Sequence, residues 1–377
     1  MATLERNLLL TSLLLAFFIA SPDFYYLQTG GFSTGLEVGP LSYLKVLKDV
    51  FYLLIFCLLL ARHTARTVVV FFIAALLVLV PVLYTIFSVG TLKVLFGFRW
   101  YFPAVLAVAV AYSVPRQDFT RKGARYLLAV MCVNVAAQLI QRFLFPPLFF
   151  MGEDDMLSRA PGIFFLPSAS SILMTACTLY ISRAHADGQV SGAFRTLAFL
   201  LLTTTISLSD SATAMIIFAV LLASEFKLIK VNMLGLVITI SISLLALYVA
   251  VLFSPRGQDI VDRSLFNRLQ LFESGASESG IISSDFGGTT SAGIMLGGAG
   301  YRSLESTFGA VFGNLGALPG IVLLAILMSL LIAATFRNKR SSRALPALVL
   351  VLGALVSVNA FEFFPMGAMM LLLVRRI

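Results

Sequence analysis

The residues of this sequence best suited to chemistry are arginines that lie beside long apolar segments. Arginine binds phosphate through two parallel hydrogen bonds and stays charged at any physiological pH. One set lies at helix ends and loops where basic residues are otherwise sparse: Arg99, Arg142, Arg159, Arg256, Arg263, Arg268 and Arg302, with Lys93. Gathered at one surface, these side chains would suit an anionic headgroup, above all a pyrophosphate. The alternative is that several of them anchor helices at a membrane surface or keep loops soluble.

The elements that must position these arginines are membrane helices. The chain has 377 residues, of which 59% are hydrophobic and 12% charged, and its mean hydropathy is +0.97. A soluble domain usually has about a quarter of its residues charged. The apolar runs are about 15 to 25 residues long, which matches a hydrocarbon core of about 30 Å. Because lipid offers no hydrogen-bond partners to the backbone, such runs must be helical.

These runs predict an all-α, polytopic transmembrane bundle of about twelve helices, with residues 1–377 forming a single transmembrane domain. The predicted helices cover residues 7–21, 42–61, 67–89, 94–114, 125–145, 162–181, 194–209, 211–225, 231–253, 307–335, 344–360 and 362–374. Asp210 is expected to cap the turn between two of them. Basic residues gather at alternate helix ends, which predicts that this face and both termini are cytoplasmic. The net charge of +9 then reflects topology and anionic lipid, and nucleic acid is not an expected partner.

The opposite face is predicted to carry one large periplasmic loop, residues 254–305. The loop begins with an amphipathic stretch from Val261 to Phe272, whose apolar residues fall on one helical stripe, as expected of a short helix on the membrane surface. The stretch from Ser274 to Gly300 is rich in Gly, Ser and Thr, which predicts a flexible loop or lid.

Three segments, in this order, resemble the bacterial O-antigen ligase and Wzy-type polysaccharide polymerase superfamily of GT-C-like integral membrane glycosyltransferases. Residues Arg159 to Ser168 resemble the family's Arg-x-x-Gly-x-Phe segment, which leads into a membrane helix. Phe266 to Phe272 resembles the loop helix that carries a functional arginine. Gly297 to Gly300, followed by Glu305 and by Gly313 to Gly320, resembles the Gly-x-Gly segment and the start of the next helix.

The resemblance implies an enzyme of the bacterial inner membrane whose active site faces the periplasm. Its donor would be an oligosaccharide linked to undecaprenyl pyrophosphate, which arginines bind by the pyrophosphate. An acceptor hydroxyl would attack the anomeric carbon, and the lipid pyrophosphate would leave, without a metal or any other cofactor. The lipid bilayer is the implied environment, and a chain-length regulator and a flippase are candidate partners.

The chain departs from the ligases of this family at one position. The ligases have a histidine just after the Gly-x-Gly segment, where this sequence has Glu305. Its histidines, His63 and His185, fall in predicted cytoplasmic loops. A carboxylate can act as a general base if partial burial raises its pKa. Repeat-unit polymerisation is therefore favoured over ligation to a lipid core, and Glu305 is the candidate base, with a helix-capping role as the alternative.

The predicted pyrophosphate-binding set has an order of preference. Arg159 and Arg268 come first, because Arg268 flanks the apolar stripe of its amphipathic segment. Arg99 follows, since it interrupts an apolar run at a helix start. Arg302 lies close enough to Glu305 to be either a ligand or its ion-pair partner. Arg263 completes the set, although it points away from the stripe and suits a solvated position.

Three other functions stay open at this point. One is an O-antigen ligase that transfers the glycan to a lipid or other acceptor, with Glu in place of His. Another is a flippase or transporter, although inverted repeats and helices broken at mid-membrane are not evident in the sequence. The last is a structural membrane subunit whose outward-facing arginines are incidental.

Overall fold

The computed structural model describes residues 42–61, 65–113, 120–143, 160, 162–164, 167–226, 228, 233–253, 280–288, 306–337 and 344–357. Within these ranges the regular secondary structure is α-helical, with no strand. The helices are α1 (Ser42–Ala61), α2 (Ala65–Ser88), α3 (Thr91–Ser113), α4 (Thr120–Phe143), α5 (Pro167–Ala186), α6 (Gly192–Ser209), α7 (Ala212–Glu225), α8 (Met233–Phe253), α9 (Thr307–Leu315), α10 (Ala317–Arg337) and α11 (Ala344–Ser357). The predicted helices 7–21 and 362–374 and the amphipathic stretch 261–272 lie outside the described residues.

Three of the described helices are long and apolar enough to cross a membrane: Val68–Ser88, Gly123–Phe143 and Gly192–Ser209. Shorter apolar helices cover Asp49–Ala61, Ala212–Glu225, Val237–Leu252, Ala317–Ile326 and Leu345–Val356. Large apolar side chains lie exposed along α2, where Phe72 is 63% and Phe87 is 85% exposed. Such a surface would be unfavourable in water, so the helices have the character of membrane helices.

Most of the described helices pack around two main apolar clusters, and a third, minor one joins α7, α8 and α11. In the larger cluster, α5 is buried on all sides among α4, α6, α7 and α11, with Ile172, Met174 and Tyr180 almost fully enclosed. The smaller cluster joins α2, α3, α9 and α10, with Trp100 and Phe286 at its centre. Phe308, on α9, packs against both clusters, so this short helix joins the two parts.

Two predicted helices differ from the structure where a glycine has a positive φ. The helix predicted at 162–181 begins only at Pro167, because Gly162 adopts a φ of 70° and residues 162–164 form a turn. Proline suits the first turn of a helix, where its missing N–H leaves no bond unmade. The helix predicted at 307–335 is divided at Gly316, whose φ of 88° ends α9 before α10 begins.

The cap predicted at Asp210 is confirmed. Asp210 ends α6 in the left-handed conformation, and its N–H donates to the carbonyl of Ile206. The hydroxyl of Ser211 then accepts the N–H of Ala214 and caps the start of α7. This tight turn places the end of α6 beside the segment that follows Arg159, where the carbonyl of Leu208 accepts the N–H of Ala160.

Candidate functional site

Three amide side chains form a buried stripe on α4. Asn134, Gln138 and Gln141 follow one another at spacings of four and three residues, which places them on one helix face. Each is at most 1% exposed. They belong to a helix that is otherwise apolar enough to cross a membrane. Buried amides are costly in such a helix unless their hydrogen bonds are satisfied.

The stripe binds the turn that precedes α5. Gln141 makes a two-point contact with Gly162: its Nε2 donates to the carbonyl at 2.8 Å, and its Oε1 accepts the N–H at 2.7 Å. Gln138 donates to the carbonyl of Ala160 at 2.9 Å. Asn134 accepts the N–H of Ile163 at 3.1 Å. These bonds fix the turn in place on α4.

The glycine and the phenylalanine of the Arg-x-x-Gly-x-Phe segment both have defined structural roles here. A Cβ on Gly162 would lie 2.1 Å from Oδ1 of Asn134, and its φ of 70° disfavours any other residue. Phe164 is fully buried in the larger apolar cluster. Arg159 lies outside the described residues. Its neighbour Ala160 is fully buried and has both its N–H and its carbonyl bonded.

A second ordered segment, Gly280 to Gly288, packs where α9 meets α10; we call it the docked segment. Its backbone pairs with the helix junction on both sides of Gly316. The carbonyls of Gly280 and Ile281 accept the N–H groups of Ala317 and Leu318 at 3.0 Å each. The N–H of Ser283 donates to the carbonyl of Leu315 at 3.2 Å. These bonds satisfy backbone groups that the break in the helix leaves without helical partners.

Phe286 anchors the docked segment in the smaller apolar cluster. Its ring is fully buried against Gly97 and meets Phe98 edge to face, with ring centroids 5.6 Å apart. Its N–H donates to Oγ1 of Thr85 at 2.8 Å. A side chain on Gly97 would occupy the space of this ring, since its Cβ would lie 2.3 Å from the Phe286 ring. The glycine thus provides the slot that the phenylalanine fills.

An ion pair holds the same segment to α3. Nζ of Lys93 lies 2.7 Å from Oδ1 of Asp285, and the two side chains are 15% and 27% exposed. Lys93 belongs to the set of basic residues that the sequence places at helix ends and loops, and Asp285 balances its charge. Residues 280–288 are therefore anchored by an ion pair, an aromatic side chain and backbone bonds. Residues 280–288 form no helix, in keeping with the loop predicted over 274–300, and these contacts hold them against α3, α9 and α10.

Arg99 lies one residue beyond Phe98 on α3, and it pairs with a carboxylate on α1. Its Nη2 lies 3.5 Å from Oδ2 of Asp49, and the two side chains are 42% and 37% exposed. At a membrane surface in contact with water, a pair this exposed contributes roughly 0–1 kcal/mol, because water and salt screen it. The guanidinium of Arg99 is therefore accessible, and another anion could compete with Asp49 for it.

Of the predicted site residues, Arg99 is described, and Arg159, Arg263, Arg268, Arg302 and Glu305 lie outside the described residues. Glu305 immediately precedes Ser306, a buried residue at the start of α9 whose side chain makes no capping bond.

Sequence reasoning missed the amides of α4, Asp49, Asp285 and Phe286. The amides could have been recognised from the sequence, since polar residues at helical spacing inside an apolar run mark a buried face.

No protein-family model, curated protein or solved structure matches this chain.

Proposed function

We propose that this chain is a bacterial polysaccharide polymerase, a Wzy-type glycosyltransferase of the cytoplasmic membrane that extends an O-antigen or exopolysaccharide. In this proposal, both termini lie in the cytoplasm and the active site faces the periplasm. An acceptor sugar hydroxyl attacks the anomeric carbon of a glycan on undecaprenyl pyrophosphate. The bond to the phosphate oxygen breaks, and undecaprenyl pyrophosphate leaves with both bonding electrons. No metal or other cofactor takes part.

The observation that carries this proposal is the anchoring of the segment that follows Arg159. Two residues of the Arg-x-x-Gly-x-Phe pattern stabilise the turn: Gly162 adopts its positive φ, and Phe164 anchors it by burial of its side chain. In this proposal the arginine of the pattern binds the donor. A guanidinium next to an anchored turn suits the stabilisation of charge that develops on a leaving pyrophosphate, because a preorganised donor need not reorient during the reaction.

Arg99 supports the proposal as a second anion-binding group. It shares one turn of α3 with Gly97 and Phe98, against which the docked segment packs. Because its pair with Asp49 is weak and exposed, a phosphate could replace the carboxylate at small cost in stability. In the predicted topology, this end of α3 and the turn before α5 lie on the same, periplasmic face.

The remaining roles come from the family resemblance. Arg159 and Arg268 clamp the pyrophosphate, and Arg302 and Arg263 add positive charge around it. Glu305 takes the proton of the attacking hydroxyl as general base. The same residues could serve a ligase, which would differ in the acceptor it admits.

One structural feature favours a transporter, the alternative of another class. Transporters often place broken helices at their substrate sites, and the chain breaks between α9 and α10 at Gly316. However, α10 alone has 21 residues, which gives a length of about 31 Å, enough to cross a bilayer. The break therefore lies at the end of a full-length helix, which fits a docking site for the loop better than a substrate site within the membrane.

The proposal is tested by incubating the purified protein, in liposomes, with a lipid-linked repeat unit of the source bacterium and no other enzyme. A polymerase produces a ladder of longer lipid-linked glycans. Transfer of a single glycan chain to a second lipid would identify the protein as a ligase and not a polymerase. Failure to form any longer product with the native repeat unit, in protein that keeps its fold, would contradict both.

Variants of this assay separate the proposed roles. Arg159→Ala and Arg268→Ala should each abolish elongation at unchanged expression, whereas the matched control Arg263→Ala should retain most of it. Glu305→Gln should lower the rate far more than Arg263→Ala does, because general-base catalysis contributes about 10²- to 10⁴-fold. Equal effects of Glu305→Gln and Arg263→Ala would contradict the assignment of the base.

A further inference from the structure

Two prolines interrupt the backbone hydrogen bonds of α2 and α3 at matching heights. Pro81 and Pro103 both lie inside their helices. Because proline has no N–H, the carbonyls of Leu77 and Arg99 lose their helical donors. The two interruptions are centred the same number of residues before and after Gly90, which joins the helices with a φ of 112°. Each lies about 16 Å from this turn at a rise of about 1.5 Å per residue. The hairpin can therefore bend in both helices at once.

The end of this hairpin, residues 82–98, is a closed unit, which we call the tip. The carbonyl of Thr85 accepts the N–H of Val89 at 2.9 Å, which tightens the turn between the two helices. Below the tip, the hydroxyl of Tyr101 donates to the carbonyl of Ala74 at 3.3 Å, and Tyr101 is 5% exposed. The interrupted bonds thus separate a closed tip from a firmly packed base.

The docked segment binds α2 and α3 at the tip. The N–H of Phe286 donates to Oγ1 of Thr85, and its ring fills the slot at Gly97. Asp285 pairs with Lys93. Thr85, Lys93 and Gly97 all lie between the two prolines in the sequence. These contacts therefore act on the part of the hairpin that the prolines free to bend.

The docked segment is also bonded to α9. The hydroxyl of Ser283 donates to the carbonyl of Gly313 at 2.6 Å, and the N–H of Gly287 donates to Oδ1 of Asn314 at 2.9 Å. Gly287 lies close against the tip as well, since a Cβ there would be 2.1 Å from the carbonyl oxygen of Lys93. The segment therefore connects the tip directly to the helix that joins the two main apolar clusters.

We propose that residues 82–98 form a hinged tip that bends at Pro81 and Pro103, and that the docked segment is the latch that holds this tip against α9. Val94 of the tip and Val311 of α9 belong to the same apolar cluster. Bending of the tip away from α9 opens an apolar seam between them. A change of about 20° at the hinges moves the end of the tip by about 5 Å. This motion is independent of the chemistry proposed above.

The experiment measures distances between pairs of spin labels on the full-length protein in nanodiscs, after the three native cysteines are replaced by alanine. One pair joins Phe87→Cys, in the tip, to Ile321→Cys on α10, at positions that are 85% and 56% exposed. The control pair joins Phe72→Cys to the same position on α10. Phe72 is 63% exposed and lies on α2 before Pro81, so a bend at the proline does not move it.

Release of the latch should move the tip and leave the base in place. In the Phe286→Ala variant, the distances from position 87 to position 321 should spread by about 5 Å, whereas those from position 72 should stay narrow. Asp285→Asn, which removes only the charge, should give a smaller spread. Replacement of both prolines by alanine supplies the missing N–H donors. In the Phe286→Ala background it should therefore narrow the distances from position 87 again.

Three results would overturn the proposal. Unchanged distances from position 87 in Phe286→Ala would show that the docked segment does not hold the tip. Equal spreading of the distances from positions 72 and 87 would show a general loosening of the helices and no hinge. A spread that persists after both prolines are replaced would show that the prolines are not the hinge points. If Phe286→Ala does not fold, Asp285→Asn decides by the same criteria.

Discussion

Gly162 provides a sharp test of the turn before α5, because a second glycine of the chain has the same conformation without the same surroundings. Gly162 has a φ of 70°, and a Cβ there would lie 2.1 Å from Oδ1 of Asn134. Gly188, in the turn between α5 and α6, has a φ of 69°, and a Cβ there would meet nothing within 4 Å. The substitutions Gly162→Ala and Gly188→Ala therefore impose equal backbone strain, and only the first adds a clash.

The expected losses of stability follow from these contacts. A left-handed alanine costs about 1–2 kcal/mol at either position. At Gly162 the new methyl group must also displace Asn134, whose Oδ1 accepts from the N–H of Ile163 and from the hydroxyl of Ser170. Two such hydrogen bonds contribute about 0.5–1.5 kcal/mol each. We expect Gly162→Ala to lower the free energy of unfolding by about 2–5 kcal/mol and Gly188→Ala by about 1–2 kcal/mol.

The buried thiol of Cys177 reports this unfolding. Cys177 lies in the larger apolar cluster, whereas Cys57 and Cys132 are exposed and can be replaced by alanine. Labelling of Cys177 along a titration of SDS in mixed micelles gives the unfolding free energy of each variant. Gly162→Ala should also reduce elongation, and Gly188→Ala should not. Equal losses of stability in the two variants would show that Asn134 does not hold the turn as described.

Three further predictions concern the docked segment and Arg99. Phe286→Ala should weaken the packing of the docked segment against the helices by about 3–5 kcal/mol, so that hydrogen exchange at residues 280–288 accelerates. Unchanged protection from exchange would contradict the anchoring role of Phe286. Lys93→Asp and Asp285→Lys should each destabilise the protein. In a double-mutant cycle, the double variant should recover stability, with a coupling energy of about 0.5–3 kcal/mol. Additive effects of the two substitutions would rule out a direct pair. Arg99→Ala should change the unfolding free energy by less than about 1 kcal/mol and should weaken the binding of lipid pyrophosphate. Asp49→Asn should strengthen the binding of lipid pyrophosphate. Tighter binding by Arg99→Ala would contradict the role of Arg99 in binding.

Apolar runs were sufficient to predict most of the described helices. The predicted limits 42–61 coincide with α1, and those of α6 and α7 differ by one or two residues. The length of an apolar run does not predict a helix boundary that is set by the backbone conformation of one residue. Gly162, with a positive φ, lies in a turn before α5, and Gly316, also with a positive φ, ends α9, yet glycines within apolar runs also occur inside helices, as Gly97 and Gly353 show.

The candidate site was less accessible to sequence reasoning, because its contacts join residues far apart in the chain. Lys93 and Asp285 are separated by 192 positions, and nothing in either neighbourhood marks the other as a partner. The composition of the docked segment predicts a loop, but composition does not show that Gly97 leaves a slot for Phe286. The amides of α4 could have been recognised by their spacing, whereas the turn they hold depends on how α4 and α5 approach one another.

The most direct test of the proposed chemistry is the stoichiometry of the reaction catalysed by the purified protein. Each glycosidic bond formed should release one molecule of undecaprenyl pyrophosphate, so both products should be quantified in the same liposomes with a chelator present. The proposal predicts equal amounts of new bonds and released lipid pyrophosphate, and loss of both in Arg159→Ala. Lipid-linked glycan that crosses the bilayer without any release of undecaprenyl pyrophosphate would contradict it.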